Sequence, residues 1–305
     1  MASLPDSSIP RGGLSSGRSL TRRGFLGVLG GTVLAGSVAH AQRRGPIGVS
    51  CCAYSLRALL QADPPEMDLF DFLDYAKDIG LDGVELTSYY FPGEFDDSYL
   101  DRLKSRCAEL GLVITGGAVG NRFTTPPGEE RDKQIDAVKT WLRHYQRLGA
   151  PLMRVFAGDA PEGVDADRAR TWVVECAKEC LPTAREAGVV MALENHGGVT
   201  SDADGMLQIL RGVSSRWFKA NLDTGNFRTA DPYGEMARIA RLSVNCHGKV
   251  SVSPAGRPSA PTDYARVVAI LRDAGYRGYI SVEYEGSEPP REGVRAEVER
   301  IKAAL

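Results

Sequence analysis

From Pro46 onward the chain alternates between two hydrophobic patterns. Short runs that are apolar on both faces and bounded by Gly or Pro read as buried parallel strands. Longer stretches with apolar residues every three or four positions read as helices with one buried face. Strands are expected at Ile47–Tyr54, Gly83–Thr87, Val113–Val119, Pro151–Ala157, Val189–His196, Phe218–Gly225, Ser243–Val250 and Gly278–Tyr284. Helices are expected at Leu69–Ile79, at Tyr99–Leu110, before Leu148, at Asp165–Ala187, Ala203–Leu210 and Tyr264–Ala274, and from Val294 to the end. Pro182, inside the fourth of these, predicts a kink or a split there.

Eight such strands alternating with helical stretches over roughly 260 residues match a (β/α)8 TIM barrel in count and length. A doubly wound open sheet is the alternative. No Gly-x-Gly-x-x-Gly follows the first strand, and eight repeats suit closure better.

Residues 1–42 break the pattern and read as a targeting segment. Thr21-Arg-Arg-Gly-Phe-Leu26 resembles a twin-arginine export signal, followed by a weakly apolar run from Gly24 to Val38 and a small-residue cleavage site at Ala39-His-Ala41. The run is too short and too rich in glycine for a membrane span. The expected organisation is therefore a signal at 1–42 and one barrel at 43–305. The mature protein would be exported, periplasmic or extracellular, with no stable membrane anchor.

Composition narrows the function classes. The 305 residues are 43% hydrophobic and 25% charged with a formal net charge of −2, which gives no electrostatic reason to expect nucleic acid or an anionic membrane as partner. The six cysteines include no Cys-x-x-Cys pair, so buried free thiols are expected rather than a disulfide framework or a zinc ribbon.

The chemistry gathers at the carboxyl ends of four consecutive strands, the fifth to the eighth, which deliver Glu194, Asp223, His247 and Glu283. Each has an ordinary explanation when taken singly: a helix N-cap or turn for Asp223, a satisfied core histidine for His247. Together they are neighbours on one side of a barrel mouth. Three carboxylates and an imidazole form a hard oxygen and nitrogen set suited to one divalent ion, Mn, Co, Mg or Zn. Carboxylates crowded with no such ion would repel one another. A carbon acid beside a carbonyl needs a base on one face, an electrophile at the oxygen, and a second acid if the product is the epimer.

Leu193-Glu-Asn-His, Leu222-Asp-Thr-Gly-Asn, Cys246-His-Gly-Lys and Val282-Glu-Tyr resemble the four metal-ligand segments of the sugar isomerase and epimerase superfamily with the xylose isomerase-like TIM barrel, which includes ketose 3-epimerases and inosose isomerases and dehydratases. The resemblance runs over the whole chain after the signal. It extends to Glu85 in Gly83-Val-Glu-Leu, which matches a second-strand acidic residue of the group. It implies that Glu194, Asp223, His247 and Glu283 hold the metal, and that Glu194 and Glu283 are also the acid/base pair acting through an enediolate. Two departures are visible. Asn226 stands where many epimerases carry histidine, and Val250 stands where His-x-Lys-Asp places a carboxylate.

Substrate contacts are expected from Glu85, His196, Asn226 and Lys249. His196 follows Glu194 by two residues and reads equally as a substrate contact or a structural support, and Lys249 equally as a substrate contact or a salt-bridge partner of Glu283. Tyr54, Phe156 and Trp217 are candidates for an apolar wall or for core, and His144 is expected exposed on a helix.

Three functions fit. The first is a metal-dependent isomerase or epimerase of an unphosphorylated sugar or cyclitol, because an exported enzyme would not meet sugar phosphates. The second is a lyase eliminating a leaving group from a keto-glycoside or inosose by the same proton abstraction. The third is a non-catalytic sugar-binding barrel. A homo-oligomer is left open. An endonuclease IV-like role would need more histidines than the four present and a basic face.

Overall fold

The computed structural model describes residues 46–305. Strands β1 (Gly48–Cys52), β2 (Gly83–Thr87), β3 (Val113–Ala118), β4 (Leu152–Val155), β5 (Val190–Glu194), β6 (Phe218–Asp223), β7 (Ser243–Lys249) and β10 (Tyr279–Glu283) form a closed barrel in sequence order, with β10 returning to β1. The pairings reported for the barrel are parallel. A two-stranded hairpin, β8 (Ser251–Val252) with β9 (Ala260–Pro261), interrupts the path after β7. The expected TIM barrel is therefore what the chain forms.

The strand expected at Gly83–Thr87 has those bounds; the others run one or two residues long at one or both ends, where the chain has already left the ladder. The helix at Ala166–Ala187 holds Pro182 inside a single element, so the chain does not split there. Its inner face of Val173, Cys176, Ala177 and Cys180 is buried and carries the helix past the bond that proline cannot donate. A helix at Pro232–Ile239 follows β6, with Pro232 in its first turn and Asp231 capping it through Gly234 N; it was not distinguished in the sequence. All six cysteines are free and buried, as expected. Among the described residues no helix is long and apolar enough to cross a membrane. The signal expected at 1–42 lies outside the described residues.

Alternation along the strands sends Val84, Leu86, Met191, Leu193, Ile280 and Val282 outward against the helices, where they are buried. The inward set is unlike the aliphatic filling usual for such barrels. Ser50, Glu85, Arg154, Asn221, Asn245 and Ser281 are all buried with the four candidate ligands. Burying that many polar groups is tolerable only if they satisfy one another. That requirement shapes the site.

Candidate metal and active site

Strand register brings the ligand-type residues to one end of the barrel. Glu194 pairs across β5 and β6 with Asn221, Asp223 pairs with His247, and Glu283 pairs with Lys249. A register shift between Ala220 and Asn221 sits immediately before this level, the kind of irregularity that re-aims side chains near a site. Glu194, Asp223, His247 and Glu283 each offer one oxygen or nitrogen, and these atoms lie within 4.8 Å of one another. His247 Nδ1 stands between the two glutamates, 3.4 Å from Glu194 Oε2 and 3.1 Å from Glu283 Oε2.

Asp223 Oδ2, His247 Nδ1 and Glu283 Oε2 are buried and have no hydrogen bond. Buried polar atoms are nearly always satisfied, so three orphans converging on one point fit a cation held by hard donors. The other ends of these groups are fixed. Asp223 Oδ1 accepts from the backbone N–H of Gly225 at 2.8 Å and of Asn226 at 3.0 Å. Asn195 ties β5 to β6, donating to Asp223 O at 2.9 Å and accepting from Asp223 N at 2.8 Å.

The two glutamates have different neighbours. Glu194 accepts from Asn221 Nδ2 at 3.0 Å and Asn226 Nδ2 at 3.2 Å, and Arg154 Nε lies 3.3 Å from its Oε2. The Arg154 guanidinium is itself buried, 3.8 Å from the centre of the Phe156 ring. Glu283 instead meets Lys249 Nζ at 3.0 Å, and the same ammonium reaches Glu285 at 2.7 Å and Asp223 at 3.7 Å. Gly225 makes room for that lysine: a Cβ there would lie 2.7 Å from Lys249 Cγ and 2.9 Å from Ser251 O.

Burial pushes all three carboxyls upward, and for Asp223 it prevails, raising the group well above the usual range. For Glu283 the opposing pull of His247 and Lys249 wins and holds it well below. His247 and Arg154 likewise bring Glu194 down. Burial works against a charged His247 ring, but its surroundings, Glu85 and Glu283 among them, outweigh it and raise the group.

A cavity of about 520 Å³ opens beside the cluster, lined by His196, Asp202, Asn226, Arg228, Lys249 and Glu285 among others. His196 is exposed at its rim because β5 ends at Glu194, so the expected face-sharing with Glu194 does not apply. Its ring lies 4.4 Å from that of Phe156, and among the described residues the ring nitrogens make no hydrogen bond. Asn226 and Lys249 line the cavity and also bond the carboxylates, so the Lys249–Glu283 salt bridge is present. Glu85, expected as a substrate contact, lies fully buried behind His247 and is not part of the cavity lining.

Other expectations change as well. Trp217 immediately precedes β6, at the barrel end opposite the mouth, and is buried core, so it cannot wall the site. Tyr54 and Phe156 follow β1 and β4 directly and do lie on the mouth side. His144 is half-buried, its ring 5.1 Å from Phe95 and 5.2 Å from Trp141, because that helix face packs into an aromatic cluster. Arg154, Asn221 and Asn245 were missed. A lone arginine inside Leu152-Met-Arg-Val155 was the available signal, since a buried guanidinium demands a carboxylate partner.

The chain is thus a closed (β/α)8 barrel whose mouth carries a hard-donor cluster that could hold a metal ion, beside an open cavity. The chain belongs to the xylose isomerase-like TIM barrel family, whose family model matches residues 73–304. A human protein described as a putative hydroxypyruvate isomerase is 23% identical over 247 residues, covering 70% of this chain and 84% of that protein. The structure of D-psicose 3-epimerase with D-tagatose from Clostridium cellulolyticum H10 superposes with a TM-score of 0.66 at 16% identity, covering 85% of this chain and 96% of that one. That of 3-keto-D-glucoside 4-epimerase from E. coli gives 0.65 at 18% identity, covering 84% and 98%. At such identities these two likenesses are of fold.

Proposed function

We propose that the protein is a divalent-metal-dependent isomerase or epimerase of an unphosphorylated sugar or cyclitol, moving a proton at a carbon next to a carbonyl. The observation that carries this reading is the convergence beside Glu194 of buried atoms of Asp223, His247 and Glu283 that make no hydrogen bond. Those three residues and Glu194 would hold the ion. A bound divalent cation supplies Lewis acidity that polarises the substrate carbonyl and makes the neighbouring C–H acidic.

The protein's own groups do the rest. Glu194 and Glu283 flank His247 on either side, so one can accept the proton from one face of the substrate carbon while the other returns it. Arg154 with Asn221 and Asn226 keeps Glu194 ionised and fixed in place, and Lys249 does the same for Glu283. His196, Asn226 and Lys249 face the cavity and would bind substrate hydroxyls. The lining balances the carboxylates Asp202 and Glu285 against the cations Arg228 and Lys249, which suits a neutral polyhydroxylated substrate better than a phosphate ester. The twin-arginine-like start, with its implied export, argues in the same direction. The relatives' names, putative hydroxypyruvate isomerase, D-psicose 3-epimerase and 3-keto-D-glucoside 4-epimerase, each describe the isomerisation or epimerisation of a carbonyl compound.

The test is deuterium uptake from D₂O with keto-sugars and inososes after loading with Mn²⁺. Label in a sugar of otherwise unchanged composition supports the reading. Release of water or an aglycone moves it to elimination, and binding with no exchange reduces the protein to a binding barrel.

A further inference from the structure

Glu85 is a carboxylate with no exposed surface and no Lys or Arg within ion-pair distance among the described residues. Its Oε1 lies 3.0 Å and its Oε2 3.2 Å from His247 Nε2. Oε2 also accepts from Asn245 Nδ2 at 2.8 Å. Asn245 lies two residues before His247 on β7, so the same inward face supplies both of its partners. A register shift between Val84 and Glu85 sits where the side chain turns inward. Gly116 on β3 lies beside it: a Cβ there would clash with Leu152 Cδ1 at 2.6 Å but only touch Glu85 Cγ, at 3.6 Å.

Burying a charge in this way is costly, and an apolar residue of the same volume would stabilise a barrel interior at least as well. An ionised carboxylate only accepts hydrogen bonds, so the shared bond requires the hydrogen on Nε2. In the neutral ring the lone pair is then on Nδ1, the nitrogen that faces Glu194 and Glu283 and makes no hydrogen bond. We infer that Glu85 is a positioning residue: acting through His247, and steadied by Asn245, it fixes the imidazole in the Nε2–H tautomer and presents Nδ1 to a divalent cation. Carboxylates that orient a histidine ligand in this way typically change metal affinity roughly 10–100-fold when removed.

This rests on the metal reading above, and the experiment separates the two. Full-length wild-type protein and the Glu85→Gln and Glu85→Ala variants are titrated with Zn²⁺ and with Mn²⁺ by calorimetry. Folding of each is checked by circular dichroism, the isosteric glutamine guarding against collapse of the alanine variant. The Zn²⁺-loaded wild type is examined by ¹H–¹⁵N imidazole NMR, with His247 assigned from a His247→Gln control. We expect Nε2–H with Nδ1 as the ligand atom, and a drop in affinity of about 10–100-fold for both variants, with activity recovering at excess Mn²⁺. Unchanged affinity in both folded variants, or a loaded wild type with the hydrogen on Nδ1, overturns the assignment. So does a stoichiometry of two ions per chain, which would make Cys52, Glu85 and His247 a second site. A wild type that binds neither ion sinks the proposed function itself, and the role of Glu85 with it.

Discussion

Strands β5, β6, β7 and β10 bring Glu194, Asp223, His247 and Glu283 to the mouth, and three of these residues carry a buried atom with no hydrogen bond. Strands β2 and β4, in the other half of the barrel, bring Glu85 and Arg154 to the same interior, yet there the charges point at the first group rather than at the cavity. One half of the barrel thus carries the clustered ligand-type atoms, and the other carries charges that help fix where those atoms point. The difference explains why a polar interior is tolerated. Each supporting charge is matched to a donor or acceptor of the ligand half, so neither half is satisfied without the other.

The largest effect should come from the ligand half. Glu283→Gln and Glu194→Gln are each expected to lower kcat by about 10²–10⁴-fold, measured on metal-loaded protein with whichever keto-sugar exchanges solvent hydrogen. Retention of full turnover by either would break the assignment of that residue to the proton-transfer pair. Chelation should abolish turnover in wild type, and Mn²⁺ should restore it.

The supporting half should affect stability more than its distance from the cavity suggests. Arg154→Met leaves Glu194 buried with His247 and the two asparagines but without its guanidinium, and breaking a buried pair in this way costs about 3–5 kcal/mol. Urea denaturation measures this directly. Lys249→Met, at the supporting cation that β7 carries on the ligand side, should cost less, because Glu285 and the cavity beside it are open to water. Equal losses for the two variants would remove the distinction between a fixed and an open cation.

The smallest effect belongs outside both halves, at His144. Burial among Phe95 and Trp141 lowers its affinity for a proton relative to the ordinary value near 6.5. The unfolded chain therefore binds that proton more readily, so stability is complete above about pH 6.5 and declines as pH falls below it. His144→Gln should flatten this part of the dependence, seen as a smaller difference in urea midpoint between pH 7.5 and pH 5, and should leave turnover unaltered.

The barrel was legible because its strands are short apolar runs and its helices keep a 3.6-residue period, signals that survive without tertiary context. The ligand half was legible for a related reason: a polar residue at the same end of four successive strands is a repeated event. The supporting half was harder to read. Glu85 was noticed but placed in contact with substrate, since nothing along the chain indicates that Asn245 and His247 pack against it from β7. Arg154, and Asn221 on the ligand side, gain meaning only through strand register. His196 was placed by extending an alternation past Glu194, where the strand had ended.

The central claim is that Glu194 and Glu283, which with Asp223 and His247 would hold a divalent ion, exchange a proton next to a carbonyl. It is tested most directly by following solvent deuterium into keto-sugars by NMR, using Mn²⁺-loaded wild type beside Glu283→Gln. The account predicts label at the carbon adjacent to the carbonyl for wild type and essentially none for the variant. Equal label in both, or none in a metal-loaded wild type across a full panel of keto-sugars and inososes, would contradict it.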